Sequence, residues 1–302
     1  MYTQDPITVQ TPAKVNLFFE LLGKRPDGYH EVETVVSPID FYDTIRVEAI
    51  DPADAGADGI ALSCDCTSIA GLQPDSMDVP NNERNLVYKA AKLLRERFGV
   101  KQGVSIELKK QIPPQSGLGG GSGNAAGTIR ACARVWGLEL TLEDEFSLGA
   151  QLGSDVPMFF VGGASVATGR GEIIEPKPVG ASLPIVVIRP PTGISTPEVY
   201  RRCRVPQTPR SAEGILSAMT SGDWQTFNKL VFNRLEEFAA QITPWVNKCR
   251  NDVMQSGAAG GCLCGSGSCY FGIYESGADA DKAAEDLKSQ GWRLVVRSKL
   301  LM

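Results

Sequence analysis

Pro113-Pro-Gln-Ser-Gly-Leu-Gly-Gly-Gly-Ser-Gly-Asn-Ala-Ala126 is the stretch on which the reading of this chain turns. Five glycines occupy the seven positions 117–123. Glycine has no Cβ, so its backbone takes positive φ and can come close to a ligand. Upstream, Val104-Ser-Ile-Glu-Leu-Lys-Lys-Gln-Ile112 alternates apolar and polar residues, as a half-buried strand does. Downstream, Ala125, Ala126, Ile129, Cys132, Ala133 and Trp136 recur at helical spacing. Asn124 or Ser122 is the expected cap of that helix, and Gly137 its expected stop. A strand, a glycine turn and a helix start in this order aim several N–H groups at one point, and the helix dipole adds positive potential there. Phosphate is the natural occupant. The alternative, a flexible linker, does not fit between a periodic strand and a periodic helix.

Other phosphate loops fail on their own requirements. A Walker A loop needs a Lys directly after its last glycine, and none follows here. No Val-Ala-Ile-Lys, His-Arg-Asp or Asp-Phe-Gly segment of a protein kinase is present. Gly121-Ser-Gly123-Asn-Ala-Ala126 has the spacing of a dinucleotide fingerprint. Its preceding strand alternates, however, and so reads as antiparallel. The acids about 20 positions on, Glu143 and Asp144, open another helix instead of ending a second strand.

The chain has 302 residues, 42% of them hydrophobic, enough for one large or two ordinary domains. A net charge of −5 implies no basic face, so nucleic acid is not an expected partner. No basic and apolar leader is visible at the start, and the longest apolar stretch, 156–167, is too short to span a bilayer. A cytoplasmic protein with no membrane partner is expected. The eight cysteines include the pairs Cys64-Asp-Cys66 and Cys262-Leu-Cys264, not the usual zinc spacing, and the single histidine has no cysteine nearby. Buried, reduced thiols are expected.

Strands are expected at 13–22, 34–40, 44–50 and 59–64, and a helix at 85–98. Residues 65–83 read as a long polar excursion. A short helix at 142–152 and a hairpin around Gly169-Arg-Gly171 follow. The composition turns to Pro, Gly and Ser at 176–184, a domain boundary. Beyond it, a strand at 185–189, several helices between 196 and 256, a second glycine cluster at 257–267, a strand, a helix and a last strand suggest a split ferredoxin-like domain.

Further residues carry possible chemistry. Asp155, in Gly153-Ser-Asp-Val-Pro157, is either a base held beside apolar walls or a plain turn residue before Pro157. Lys14 and Asn16 share one face of a strand, which faces solvent or a polar cleft, solvent being favoured on local sequence. Asp27-Gly-Tyr-His30 is a turn with an aromatic beside the histidine. Cys264-Gly-Ser-Gly267 is either a hairpin turn or a second backbone nest.

Taken in order, Pro-Ala-Lys-Val-Asn-Leu at 12–17, Asp-Gly-Tyr-His at 27–30, the glycine loop, Gly-Ser-Asp-Val-Pro at 153–157 and Gly-Ser-Gly at 265–267 resemble the GHMP small-molecule kinases. The first two segments point to the branch acting on a cytidylylated methylerythritol. The likeness spans residues 12 to about 271. It implies an α+β, two-domain GHMP kinase fold: an N-terminal ribosomal protein S5 domain 2-like domain (1–178) and a C-terminal ferredoxin-like domain (179–302), with a cleft between them. It implies ATP-dependent phosphorylation of the 2-hydroxyl of 4-diphosphocytidyl-2-C-methylerythritol in the non-mevalonate isoprenoid route, with ATP and Mg²⁺.

The same resemblance implies residue roles. Pro113, Ser116, Gly117, Leu118, Gly119, Gly120, Gly121, Ser122, Gly123 and Asn124 would hold the ATP phosphates, with Lys110 beside the nucleotide. Asp155 and Lys14 would be catalytic. Asn16 would hold the methylerythritol part, His30 would hydrogen-bond cytosine, and Tyr29 and Tyr200 would stack on it. A monomer or weak homodimer is expected. Three features depart from the family pattern: Cys264 in place of Ser, Arg170 between two glycines, and a long segment 51–83. The alternatives are a GHMP kinase for mevalonate, homoserine or a sugar, and a non-catalytic nucleotide-binding protein of the same fold.

Overall fold

Alternation of apolar residues makes two long strands, β1 (Ile7–Lys24) and β2 (His30–Ile50). Both are longer than the sequence suggested, and the two strands expected at 34–40 and 44–50 are one. They join because the inward parity of Ile39, Ile45 and Val47 continues through Asp43, which is buried instead of turning the chain. The structure, a computed structural model, describes residues 5–67, 69 and 79–302. The middle of the excursion expected at 65–83 therefore lies outside the described residues. The described chain divides into two compact units, each assembled from several segments.

The first unit comprises Met1–Ala13, Tyr42–Pro114 and Gly119–Phe160. It holds the start of β1, the end of β2, β3 (Ile60–Asp65), α1 (Leu86–Arg97), β4 (Gly103–Lys109), α2 (Gly120–Trp136) and α3 (Leu142–Leu152). β4 pairs antiparallel with β2, Val47 opposite Ile106, and parallel with β3, Leu62 opposite Ile106. The expected antiparallel character of β4 thus holds on one edge only. Val87, Ala90, Ala91 and Leu94 of α1 and Ala125, Ala126, Ile129, Cys132, Ala133 and Trp136 of α2 meet Ile45, Val47, Val104, Ile106 and Leu108 of the strands in one core. Each large apolar side chain so buried stabilises the fold by about 1.5–3 kcal/mol. Asn85 caps α1 through the Val87 amide at 2.9 Å, and Thr141 and Asp144 form a reciprocal capping box on α3.

The second unit comprises Lys14–Phe41, Gln115–Leu118 and Val161–Met302. The hairpin of β5 (Ser165–Thr168) and β6 (Ile173–Pro176) lies on β2, Val35 opposite Val166, as the sequence indicated. Next come β7 (Pro184–Arg189), α4 (Thr196–Arg202), α5 (Glu213–Ser221), α6 (Trp224–Leu230), β8 (Phe232–Asn233), α7 (Leu235–Ala239), α8 (Trp245–Gln255), β9 (Gly260–Leu263), β10 (Tyr270–Ile273), α9 (Gly277–Ser289) and β11 (Leu294–Lys299). The second sheet has the order β11-β7-β10-β9, antiparallel throughout. Numbered within this sheet the order is 4-1-3-2 with helices between the first and second and the third and fourth strands, the ferredoxin-like pattern. β8 lies parallel to β1, Phe232 opposite Phe18.

Candidate active site

In the first unit, β4 delivers the chain to the glycine loop and a buried carboxylate fixes the delivery. Asp43 is 0% exposed. Its Oδ1 accepts the Gln111 and Ile112 amides at 2.7 and 2.9 Å, and its Oδ2 accepts Asn124 Nδ2 at 2.9 Å and the Lys110 ammonium. Lys110 Nζ also donates to Asn124 Oδ1 at 3.0 Å, and Asn124 Nδ2 to Thr11 Oγ1 at 2.8 Å. Lys110, Asn124 and Thr11 are buried as well. A buried charge is tolerated only when paired and hydrogen-bonded, and here both charges are.

This network corrects the expected capping. Helix α2 begins at Gly120, inside the glycine run, so Gly120, Gly121, Ser122, Gly123 and Asn124 already belong to it. Its cap is Gly119 in the left-handed conformation, φ 70°, and no side chain caps it. Asn124 is turned into the buried network instead. Its place on the second turn aims it inward, as it does its buried neighbours Ala125 and Thr128. Pro113 and Pro114 lead out of the network, and Gln115 takes a positive φ of 53°. The remaining first-turn amides of α2 form the kind of uncapped helix start that receives anions.

Asp155 also belongs to the first unit. It lies in the turn between the end of α3 and the short 3-10 helix Pro157–Phe160, where the Val156 amide donates to the Gly153 carbonyl at 3.2 Å. The residue is exposed in this turn, and apolar walls do not enclose its carboxylate.

In the second unit, three separated segments converge. Lys14 is 3% exposed, not on a solvent face, and its Nζ donates to Asn16 Oδ1 at 2.9 Å. Asn16 Nδ2 donates to Thr34 Oγ1 at 2.9 Å, and Thr34 donates on to the Phe18 carbonyl. The Lys14 amide donates to the Leu118 carbonyl at 2.9 Å, tying β1 to the glycine loop. Cys264-Gly-Ser-Gly267 is the hairpin turn joining β9 to β10. It too reaches the loop, since the Cys269 amide donates to the Ser116 carbonyl at 3.0 Å. A Cβ on Gly117, φ 78°, would lie 1.7 Å from the Cys264 carbonyl oxygen, and one on Gly265 would lie 3.3 Å from Lys14 Nζ. Only glycine fits at Gly117.

The aromatic candidates form two pairs in the second unit. The His30 and Tyr200 rings stand 5.6 Å apart at 38°. Burial first, and then the charge of Lys24, holds the His30 imidazole below its ordinary value. Tyr29 is 53% exposed with the Arg170 guanidinium 5.0 Å over its ring. Its amide donates to Asp27 Oδ1 at 3.1 Å, the side-chain turn that the Asp-Gly-Tyr-His sequence announces. Sequence reading missed Asp43, Thr11 and Thr34. Asp43 alone left a usable signal, an acid at the inward parity of an apolar strand.

Residues 85–163 match the GHMP kinases N terminal domain, and residues 215–292 the GHMP kinases C terminal domain. A 4-diphosphocytidyl-2-C-methyl-D-erythritol kinase of Geobacillus kaustophilus is 39% identical over 270 residues, 89% of this chain and 88% of its own length. One of Brevibacillus brevis is 36% identical over 284 residues, 93% and 92% of the two chains. The chain belongs to the 4-diphosphocytidyl-2-C-methyl-D-erythritol kinase family of GHMP kinases. A crystal structure of 4-(cytidine 5'-diphospho)-2C-methyl-D-erythritol kinase superposes with a TM-score of 0.78 at 32% identity, over 98% of this chain and 100% of that one. A homoserine kinase from Cytophaga hutchinsonii shares the fold, with a TM-score of 0.73 at 20% identity. In this member of the 4-diphosphocytidyl-2-C-methyl-D-erythritol kinase family, the thiol of Cys264 is fully buried, and burial pushes it well above the ordinary thiol range. Burial thus favours the neutral thiol over the thiolate. Among the described residues all eight cysteines are free, and no helix is long and apolar enough to cross a membrane.

Proposed function

We propose that the chain transfers the γ-phosphoryl group of ATP to the 2-hydroxyl of 4-diphosphocytidyl-2-C-methyl-D-erythritol, a step of the non-mevalonate route to isoprenoid precursors. The observation that carries this reading is the 39% identity, over nearly the whole chain, to a kinase named for that substrate. We take 1–178 as the family's N-terminal ATP-binding domain and 179–302 as its C-terminal domain, in a cytoplasmic monomer or weak homodimer.

Phosphoryl transfer needs positioning and charge neutralisation more than covalent help from the protein. The segment from Pro113 through Ser116, Gly117, Leu118 and Gly119 to the first turn of α2 holds the phosphates on main-chain amides. The uncapped start of α2 supports this, because its free N–H groups suit an anion. Lys110 supports the turn from below: its Nζ lies 3.1 Å from where a Gly120 Cβ would stand. The half-buried Ser122 hydroxyl on the first turn is the side-chain oxygen that would hold a Mg²⁺ bound with ATP, and the ion would supply neutralisation of the phosphate charge.

The substrate oxygen forms a bond to the γ-phosphorus, the bridging β–γ P–O bond breaks, and ADP leaves. Asp155 orients the hydroxyl and takes its proton as the bond to phosphorus forms. Lys14 stabilises the oxygen as it gains charge, and Asn16 holds the methylerythritol part. His30 hydrogen-bonds cytosine, with Tyr29 and Tyr200 as stacking surfaces. ADP release with the cytidylylated substrate, run beside mevalonate and homoserine, tests the reading. Turnover with the first alone is expected. Turnover with either of the others, and none with the first, overturns it.

A further inference from the structure

We propose that Asp43 is the positioning residue of the phosphate loop, holding the base of the loop and the first turns of α2 at the spacing that ATP requires. The inference rests on the kinase reading above and extends it to a residue that touches no substrate. Four donors converge on this one carboxylate, from two places in the chain, 110–112 and 124. Two are the Gln111 and Ile112 amides, which fix the last residues before Pro113. The third is the Lys110 ammonium, directly under Gly120. The fourth is Asn124, on the helix that the glycine turn opens. A Cβ on Gly120 would lie 2.9 Å from Ile112 Cγ2 and 3.1 Å from Lys110 Nζ. The first helical residue therefore rests on two of the groups that Asp43 holds. Thr11 closes the network from β1 by accepting from Asn124.

The charge is what makes the clamp. An amide in place of the carboxylate keeps the acceptor for the two backbone amides but presents an N–H₂ to the Lys110 ammonium and the Asn124 amide. The base of the loop then loses its hold on the helix start. Asp43 lies in the first unit, with the glycine helix, while His30, Tyr29 and Tyr200 lie in the second. Its loss should therefore be felt by ATP and not by the cytidylylated substrate.

Steady-state kinetics of the full chain carrying Asp43→Asn, with thermal unfolding followed in parallel, test this. Losing hydrogen bonds to a charged group should raise KM for ATP by at least about tenfold while KM for the cytidylylated substrate stays within about twofold. Lys110→Met combined with Asp43→Asn should cost less than the product of the single effects, since both remove one network. An unchanged KM for ATP in folded protein overturns the proposal. So does a loss confined to the folded fraction, which lowers apparent kcat and leaves both KM values unchanged. Should Asp43→Asn not fold, Thr11→Val removes only the acceptor behind Asn124. It should raise KM for ATP about threefold, as loss of one neutral hydrogen bond does, and no change overturns the proposal. Calorimetric titration with MgATP alone separates this inference from the substrate assignment. Weaker MgATP binding by Asp43→Asn, in a protein that releases no ADP with the cytidylylated substrate, supports the clamp and rejects the assignment.

Discussion

The glycine run at 117–123 and the Gly265-Ser-Gly267 turn have nearly the same composition and use their backbones in opposite ways. Both contain glycines at positive φ: Gly117 and Gly119 at 78° and 70°, Gly265 and Gly267 at 52° and 95°. In the hairpin turn the polar backbone is spent within the protein. The Gly267 amide donates to the Cys264 carbonyl at 2.8 Å, and the Gly265 carbonyl accepts Asn233 Nδ2 at 2.7 Å. The other turn opens α2 with a glycine cap and no side chain on its first amides. Glycine content alone therefore does not mark a phosphate site. What marks it is a helix start whose N–H groups are left for a ligand. The hairpin turn serves as the wall against which Gly117 is seated.

Substitutions sharpen this contrast in order of size. The largest effect should come from a residue in neither turn: Asp155→Ala is expected to lower kcat by about 10²–10⁴-fold, the range for a lost proton acceptor, with MgATP binding retained. Titration beside turnover checks it, and substantial residual kcat breaks the assignment. Next is Gly117→Ala. A Cβ 1.7 Å from the Cys264 carbonyl combined with positive φ should cost about 3 kcal/mol or more, read as a lower melting temperature and weakened ATP binding together.

A third turn provides the reference. His30→Ala, beside Gly28, should raise KM for the cytidylylated substrate by about 5- to 100-fold at unchanged kcat, the value of about 1–3 kcal/mol for a lost base contact. Because burial and Lys24 hold His30 below its usual value, the imidazole is neutral at pH 7. That KM should stay flat down to about pH 6.5 and rise only in more acid solution. The unfolded chain takes up this proton first, so His30 also destabilises the fold as pH falls below that point.

Gly265→Ala places a Cβ 3.2 Å from the Gly117 carbonyl oxygen and 3.3 Å from Lys14 Nζ. A loss of several-fold in kcat/KM is expected, about 1–2 kcal/mol of strain, with most of it in kcat. The smallest effect belongs to Gly121→Ala, whose Cβ would meet only Leu86 Cδ1 at 3.7 Å. Activity should stay within about twofold, while stability rises by about 0.5–1 kcal/mol from helix propensity. If Gly121→Ala proves as damaging as Gly117→Ala, the distinction between seated and open glycines is wrong.

Much of this was legible in sequence because it is local. The helices α1 and α3, the β5–β6 hairpin and the succession of strands and helices after 184 follow from residues close together in the chain. What escaped depends on distant partners. Asp43 looked like a break between two strands, because nothing near it shows that Lys110, Gln111, Ile112 and Asn124 lie 67 to 81 positions away. Lys14 looked exposed because alternation fixes which face it shares with Asn16 but not what covers that face. Asn124 looked like a cap because asparagine is a preferred N-cap residue, and here Gly119 makes the turn unaided. The compact units are discontinuous for a related reason: β1 and β2 each have residues in both, which no boundary drawn at a composition change can express.

The central claim is that the amides from Gly117 to Ser122 receive the phosphates of ATP. A crystal structure with a non-hydrolysable ATP analogue and Mg²⁺ tests it most directly. Phosphate oxygens within hydrogen-bonding distance of those amides, about 2.7–3.2 Å, are the expected result. Phosphates bound elsewhere, with the start of α2 facing only water, would contradict it.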